Sequence, residues 1–166
     1  MSVTAAAGFL ASGFAAGMKS GGRKDLALVL NTGPYYAAAG VFTSNRVKAA
    51  PVVWSQQVLS DHQLRAVILN SGGANACTGP DGFADTHRTA EVVAGALRHA
   101  QGTDIGALEV AVCSTGLIGM QLPMDKVTAG INEMVPLLRS RSLTQIPRRA
   151  ERSVGRKVRS LRSKSR

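Results

Sequence analysis

Short apolar runs separated by glycine-bearing turns fill the first two thirds of the chain. Residues 25–31 (DLALVLN) are apolar at successive positions and run into Asn-Thr-Gly-Pro, so they read as a strand buried on both faces. Residues 37–43 (AAAGVFT) form a second apolar run, and 51–54 (PVVW) can begin a third. Residues 55–64 suit a short helix, with Ser60 and Asp61 near its end. Residues 65–70 (RAVILN) are the clearest strand and lead straight into Ser71-Gly72-Gly73. From Gly82 the period changes. Residues 84–99 place Ala90, Val93, Ala94 and Leu97 at helical spacing, with Asp85 as a cap near the start and Gly102 as the stop. Residues 108–113 (LEVAVC) read as another strand ending at Ser114-Thr115-Gly116, and Pro123 opens a last amphipathic helix over 124–138. Strands alternating with helices imply a layered α/β or α+β domain.

Length and composition support that reading and then divide the chain. The 166 residues fit one domain, or a domain plus a tail, and 45% hydrophobic content excludes wholesale disorder. The net charge of +10 is unevenly placed. Residues 1–138 hold nine basic and nine acidic residues, whereas 139–166 hold eleven Lys and Arg against Glu151 alone. The domain is therefore expected over 1–138, followed by an Arg/Ser-rich tail over 139–166 that is expected to be disordered. The apolar stretch 3–18 is Ala/Gly-rich, too short to span a bilayer and without a basic residue before it, so neither a membrane span nor a signal peptide is expected. Cys77 and Cys113 make no disulfide framework and sit in no metal-ligand pattern, which suits a reducing cytoplasm.

Two glycine loops carry the candidate chemistry. Residues 70–82 (NSGGANACTGPDG) lie between a strand and a helix, the layout of an anion cradle, but hold neither Gly-Lys-Ser/Thr nor G-x-G-x-x-G; a structural turn is the alternative. Asn70 and Asn75 can pin this loop by side-chain bonds to backbone, and Cys77, with no basic neighbour, is expected to be a small buried residue. Residues 113–119 (CSTGLIG) put the Thr115 hydroxyl beside the unobstructed N–H of Gly116. Two such donors suit a tetrahedral oxyanion; a strand-end turn with Thr115 bonded to its own backbone suits the spacing equally. His62, His87 and His99 have no metal spacing and no Gly-x-Ser-x-Gly elbow is present, so spacing alone yields no nucleophile and no general base.

Four stretches taken together resemble a known family. GFLASGFAAGMKSGGRKDLALVLN (8–31), AAAGVFTSNRVKAAPVVW (37–54), AVILNSGGANACTG (66–79) and VAVCSTGLIGMQLPMDK (110–126) are similar, in order, to the N-terminal α-chain portion of the ornithine acetyltransferase family, the bifunctional glutamate N-acetyltransferase/amino-acid acetyltransferase of arginine biosynthesis. The resemblance implies an incomplete N-terminal part of an autoprocessed, N-terminal-nucleophile-like layered fold. A precursor of this kind cuts itself before a threonine, giving α and β chains that stay together as an α2β2 heterotetramer. That threonine takes the acetyl group of N-acetylornithine and passes it to glutamate through an acyl-enzyme. The family's oxyanion hole falls on Thr115 and Gly116. No cofactor and no metal are implied; acetyl-CoA is a co-substrate where the second activity is present.

The family pattern ends at about Arg139, where the charge balance also changes. Segments like Met-Thr-Thr-Asp-Thr, Ala-Lys-Gly-x-Gly-Met and the Ala-Thr-Met-Leu cleavage site are not found, and Thr144 lacks matching neighbours, so it is not assigned as the nucleophile. A frame change, a degraded copy, or a basic tail added to a truncated domain would each give this junction. The chain alone is accordingly expected to be inactive. A different class of reading is a non-catalytic binding protein whose tail contacts nucleic acid or an acidic surface. Against it, residues 1–138 are neutral and the tail has no Phe, Tyr or Trp to stack on bases, so nucleic acid is not the expected partner.

Overall fold

A computed structural model describes residues 3–139. Of the basic tail expected over 139–166 only Arg139 is described, in a bridge with Ala11; the remainder, and with it the expected disorder and any role in nucleic-acid binding, lies outside the described residues. The sheet has four strands in the order β1 (Phe9–Phe14), β2 (Leu26–Asn31), β3 (Ala66–Gly73) and β4 (Val110–Leu117). β1, β2 and β3 pair antiparallel, and β3 and β4 pair parallel. Helix α1 (Ala50–Val58) precedes β3, α2 (Gly79–Gln101) makes the crossover that a parallel pair requires, and α3 (Met124–Met134) follows β4. This is the expected mixed α/β class.

The core explains which face of each strand is covered. Leu26, Leu28 and Leu30 of β2 are buried, while Ala27 and Val29 are only half-buried, so β2 is covered on one side and not on both as expected. In register with them, Ala66 and Ile68 of β3 and Val110 and Val112 of β4 join the same core. Ala90, Val93, Ala94 and Leu97 of α2 and Val127, Ile131 and Met134 of α3 complete it, which places the helical layer on that face. The intervening row, Gly13, Ala27, Leu69 and Cys113, points the other way, and Leu69 is 38% exposed.

Several elements differ from the sequence reading, each for a local reason. Residues 37–43 make no strand: the run contributes only the isolated bridge of Ala37 to Gln63, and Val41 is fully exposed. The expected run at 51–54 and the first part of the helix at 55–64 are one helix, with Pro51 in the first turn, where its missing N–H would have had no helical partner. α2 starts at Gly79 rather than 84, so Asp85 lies inside the helix and is no cap; its carbonyl accepts the Thr89 hydroxyl at 2.7 Å. Gly102 ends α2 in the left-handed conformation, as expected. The last helix stops at Met134 and tightens into the turn Val135–Leu137, where Pro136 cannot donate to the preceding turn.

Both sheet edges are partly occupied. Along β4, Trp54 Nε1 donates to the Val110 carbonyl at 2.9 Å, and Ser55 Oγ donates to the Val112 carbonyl at 2.8 Å while accepting from the Val112 N–H at 3.1 Å. Helix α1 therefore satisfies the outer backbone groups of an edge strand. Beyond β1, Ala11 and Arg139 exchange two backbone hydrogen bonds of 3.1 and 3.3 Å.

Candidate functional site

β3 and β4 were expected to end at Asn70 and Cys113; both run on through the glycine loops. Their parallel register sets Ser71 opposite Thr115 and Gly72 opposite Gly116, then slips at Gly73, which faces both Thr115 and Leu117. The supposed loop residues Ser114, Thr115 and Gly116 are thus strand, and Thr115 and Gly116 lie exposed at its end. The slip is tied by Asn70, whose Nδ2 donates to the Gly73 carbonyl at 3.0 Å and whose Oδ1 accepts the Ser114 hydroxyl. Among the described residues no protein group takes up the Thr115 hydroxyl, so it is not spent on its own backbone.

Glycine at 116 follows from contact as well as from dihedral angle. Its φ is +133°, and a Cβ there would stand 2.6 Å from the carbonyl carbon of Gly72 and 2.8 Å from the nitrogen of Gly73. Gly72 itself faces Met18 from the other side: a Cβ on Gly72 would meet the Met18 Cβ at 3.2 Å and its carbonyl oxygen at 3.3 Å. Three stretches of backbone are therefore stacked at this end of the sheet. Thr115 also borders an open depression of about 470 Å³, lined with it by Gly13, Lys24, Leu69, Ser71 and Cys113.

The second part of the 70–82 loop is a structural knot. Asn75 is fully buried with φ +48°; its Nδ2 donates to the Gly82 carbonyl at 2.7 Å and the Thr86 hydroxyl at 2.9 Å, and its Oδ1 accepts from Thr78 at 2.7 Å. These bonds satisfy the loop internally, which supports the turn over the anion cradle. Asn70 and Asn75 both pin it as expected. Cys77 does not fit its expectation: it is exposed, lifted out by a positive φ of 57°. Cys113 is also exposed, although local burial pushes its thiol above the ordinary value, away from the thiolate a nucleophile requires. His87 lies against the Trp54 ring, with ring centroids 5.0 Å apart, and its Nε2 is 3.8 Å from a Glu91 carboxylate oxygen. Among the described residues no group of three His, Cys, Asp or Glu side chains could hold a metal ion.

Sequence reasoning missed Asp25. It is buried, and its carboxylate accepts the backbone N–H groups of Ala16, Met18 and Lys19 at 2.7, 2.7 and 2.9 Å. Burial pushes its pKa up, but the amides of Lys19, Ala16 and Met18 together outweigh this and hold it below the ordinary carboxylate range. The one available signal was a charged residue abutting a run of buried leucines.

Residues 10–154 match the ArgJ family. The chain belongs to that family. It is 71% identical over 133 residues to the arginine biosynthesis bifunctional protein ArgJ of Mycobacterium tuberculosis, a match covering 80% of this chain and 33% of that protein. The ArgJ of Streptomyces avermitilis is 66% identical over 135 residues, with 81% of this chain and 34% of that protein covered. The chain thus spans about a third of the length of these relatives. In structure it is similar to the ornithine acetyltransferase of M. tuberculosis, crystallised in complex with ornithine, with a TM-score of 0.82, 68% identity, and coverage of 84% of this chain and 72% of that one. The Bacillus halodurans ArgJ structure gives a TM-score of 0.73 at 42% identity, covering 80% of this chain and 66% of that one. No helix among the described residues is long and apolar enough to cross a membrane.

Proposed function

We propose that this chain is the α-chain portion of a cytoplasmic acetyltransferase that moves an acetyl group from N-acetylornithine to glutamate in arginine biosynthesis, with Thr115 and Gly116 as the oxyanion donors. The observation that carries this reading is the pairing of a Thr115 hydroxyl unclaimed among the described residues with Gly116 on a strand end whose backbone is stacked on Gly72. The ornithine bound by the M. tuberculosis relative supports an amine-bearing substrate.

The reaction then divides into two acyl transfers. A threonine hydroxyl attacks the acetyl carbon, the carbonyl oxygen becomes an oxyanion, and the C–N bond breaks as the ornithine amine leaves with the proton. The glutamate amine next attacks the acetyl-threonine ester, and the C–O bond breaks to restore the threonine hydroxyl. In both tetrahedral states the negative oxygen accepts hydrogen bonds from Thr115 and Gly116, donors fixed before charge develops. No cofactor is required; acetyl-CoA is the acetyl source where the second activity is present. The attacking threonine begins the β chain of an autoprocessed, N-terminal-nucleophile-like α2β2 assembly and lies outside the matched stretches of this chain. The 166 residues by themselves therefore transfer no acetyl group.

Thr115→Ala tests the assignment in an enzyme completed with the C-terminal portion of a family member. Self-cleavage is verified first by mass spectrometry, because unprocessed precursor would mimic lost catalysis. In processed enzyme, loss of one donor lowers kcat by about 10²–10³-fold. KM changes far less, since the ground-state carbonyl makes less of the contact. Processed Thr115→Ala enzyme with the parent kcat would remove Thr115 from the site.

A further inference from the structure

We infer that Asp25 is a positioning residue for the oxyanion pair, acting through the 16–19 loop and through Ser71 on the two strand residues that face Thr115 and Gly116. This rests on the reading of Thr115 and Gly116 given above. The connection has two branches that start from one residue. Through its side chain, Asp25 gathers the N–H groups of Ala16, Met18 and Lys19 and so fixes the loop that leaves β1. Met18 of that loop lies against Gly72, and Gly72 lies against Gly116. Through its backbone, the Asp25 carbonyl accepts the Ser71 N–H at 2.8 Å, and Ser71 is the register partner of Thr115.

The rest of the loop is held in ways that leave the Met18 contact to the carboxylate. Lys126 of α3 donates to the Gly17 carbonyl at 3.1 Å, and Ala16 is packed so closely on Gly130 that a Cβ there would meet its methyl at 2.7 Å. These contacts fix the 16–17 end to the helical layer. Two of the three carboxylate bonds, to Met18 and Lys19, fix the end that touches Gly72. A carboxylate suits this duty because all three partners are donors and it has only acceptors to offer. Charge-assisted bonds of this kind are roughly twice as strong as neutral ones. An amide at this position would turn an N–H toward at least one backbone N–H.

The test is amide hydrogen exchange by mass spectrometry on the 166-residue chain and its Asp25→Asn and Asp25→Glu variants, read in peptides covering 15–24, 70–74 and 112–117, with 90–98 of α2 as the control. For Asp25→Asn, exchange is expected to rise about tenfold or more in all three site peptides, with the α2 peptide unchanged. Asp25→Glu keeps the carboxylate but displaces it by one methylene, so its exchange in the same peptides falls between those of the parent and the Asn variant. If Asp25→Asn also unprotects the α2 peptide, the chain has unfolded and Asp25→Glu decides alone: a rise in all three site peptides supports the proposal. A rise confined to 15–24 in whichever variant keeps α2 protected overturns it, as does Asp25→Glu exchanging as fast as Asp25→Asn at 70–74 and 112–117. Because no turnover is measured, this outcome is independent of the Thr115→Ala result, and failure of either assignment is visible separately.

Discussion

At the scale of single residues, the candidate site is defined by backbone more than by side chains. Gly116 presses on Gly72 and Gly73 with no intervening atoms, and it holds a φ of +133°. Gly116→Ala must therefore absorb both a left-handed strain and a backbone clash, and is expected to destabilise the chain by at least about 2 kcal/mol. Urea unfolding followed by circular dichroism would show this as a lower midpoint at unchanged slope. A midpoint equal to the parent's would mean that the strand end moves freely, contrary to the stacked geometry. Thr115 contrasts with this. Its hydroxyl is exposed and unclaimed among the described residues, so its removal should register in catalysis and hardly at all in stability.

Among the elements, the edge of β4 depends on two side chains from α1. Ser55→Ala leaves both the N–H and the carbonyl of Val112 without their partner in a buried setting, and an unsatisfied buried group costs about 1–3 kcal/mol. The expected result is a loss of about 2 kcal/mol together with faster amide exchange at Val112. Slow exchange at Val112 in a fully stable variant would show that water replaces the serine. No pattern in the sequence announced this lock, because a serine on a helix carries no sign of which strand it will cap. What was legible followed from periodicity. β2, the first part of β3, α2 and α3 carry enough large apolar residues at spacing two or at helical spacing to declare themselves. β1 did not, since FLASGF mixes small residues with large ones and none of its positions is fully buried. The 37–43 run has the composition of a strand but no neighbour to pair with over its length. At the site, the residue types of Thr115 and Gly116 were legible, and the oxyanion role proposed for them came with the family resemblance. The register that sets Ser71 and Gly72 opposite them, and the carboxylate behind, required the fold.

At the scale of the molecule, the helices shield one face of the sheet, and among the described residues the other is a half-apolar surface with Val29, Val67 and Leu69 across its middle. Exposed apolar sheet faces associate, and the net charge of +10 opposes that at low ionic strength. In about 0.15 M salt, where screening shortens the repulsion to roughly 8 Å, the chain is expected to sediment as concentration-dependent oligomers. Leu69→Lys places a charge in the middle of the open face without touching the buried leucines, and should shift the population toward monomer. A parent chain that remains monomeric over the same concentration series would show that the face is adequately hydrated.

The stack of Met18, Gly72 and Gly116 also limits how this site can be repaired by mutation. A clash in an ordinary core is relieved by shrinking the neighbour, so one substitution can suppress another. Here the neighbour of Gly116 is another glycine's main chain, which has no side chain left to shorten. A genetic screen for suppressors of Gly116→Ala should therefore return nothing at position 72, and any revertants should fall among residues that let the strand ends separate. The two positions are coupled like fixed parts of a hinge: each constrains the other, and neither can compensate for its partner's loss.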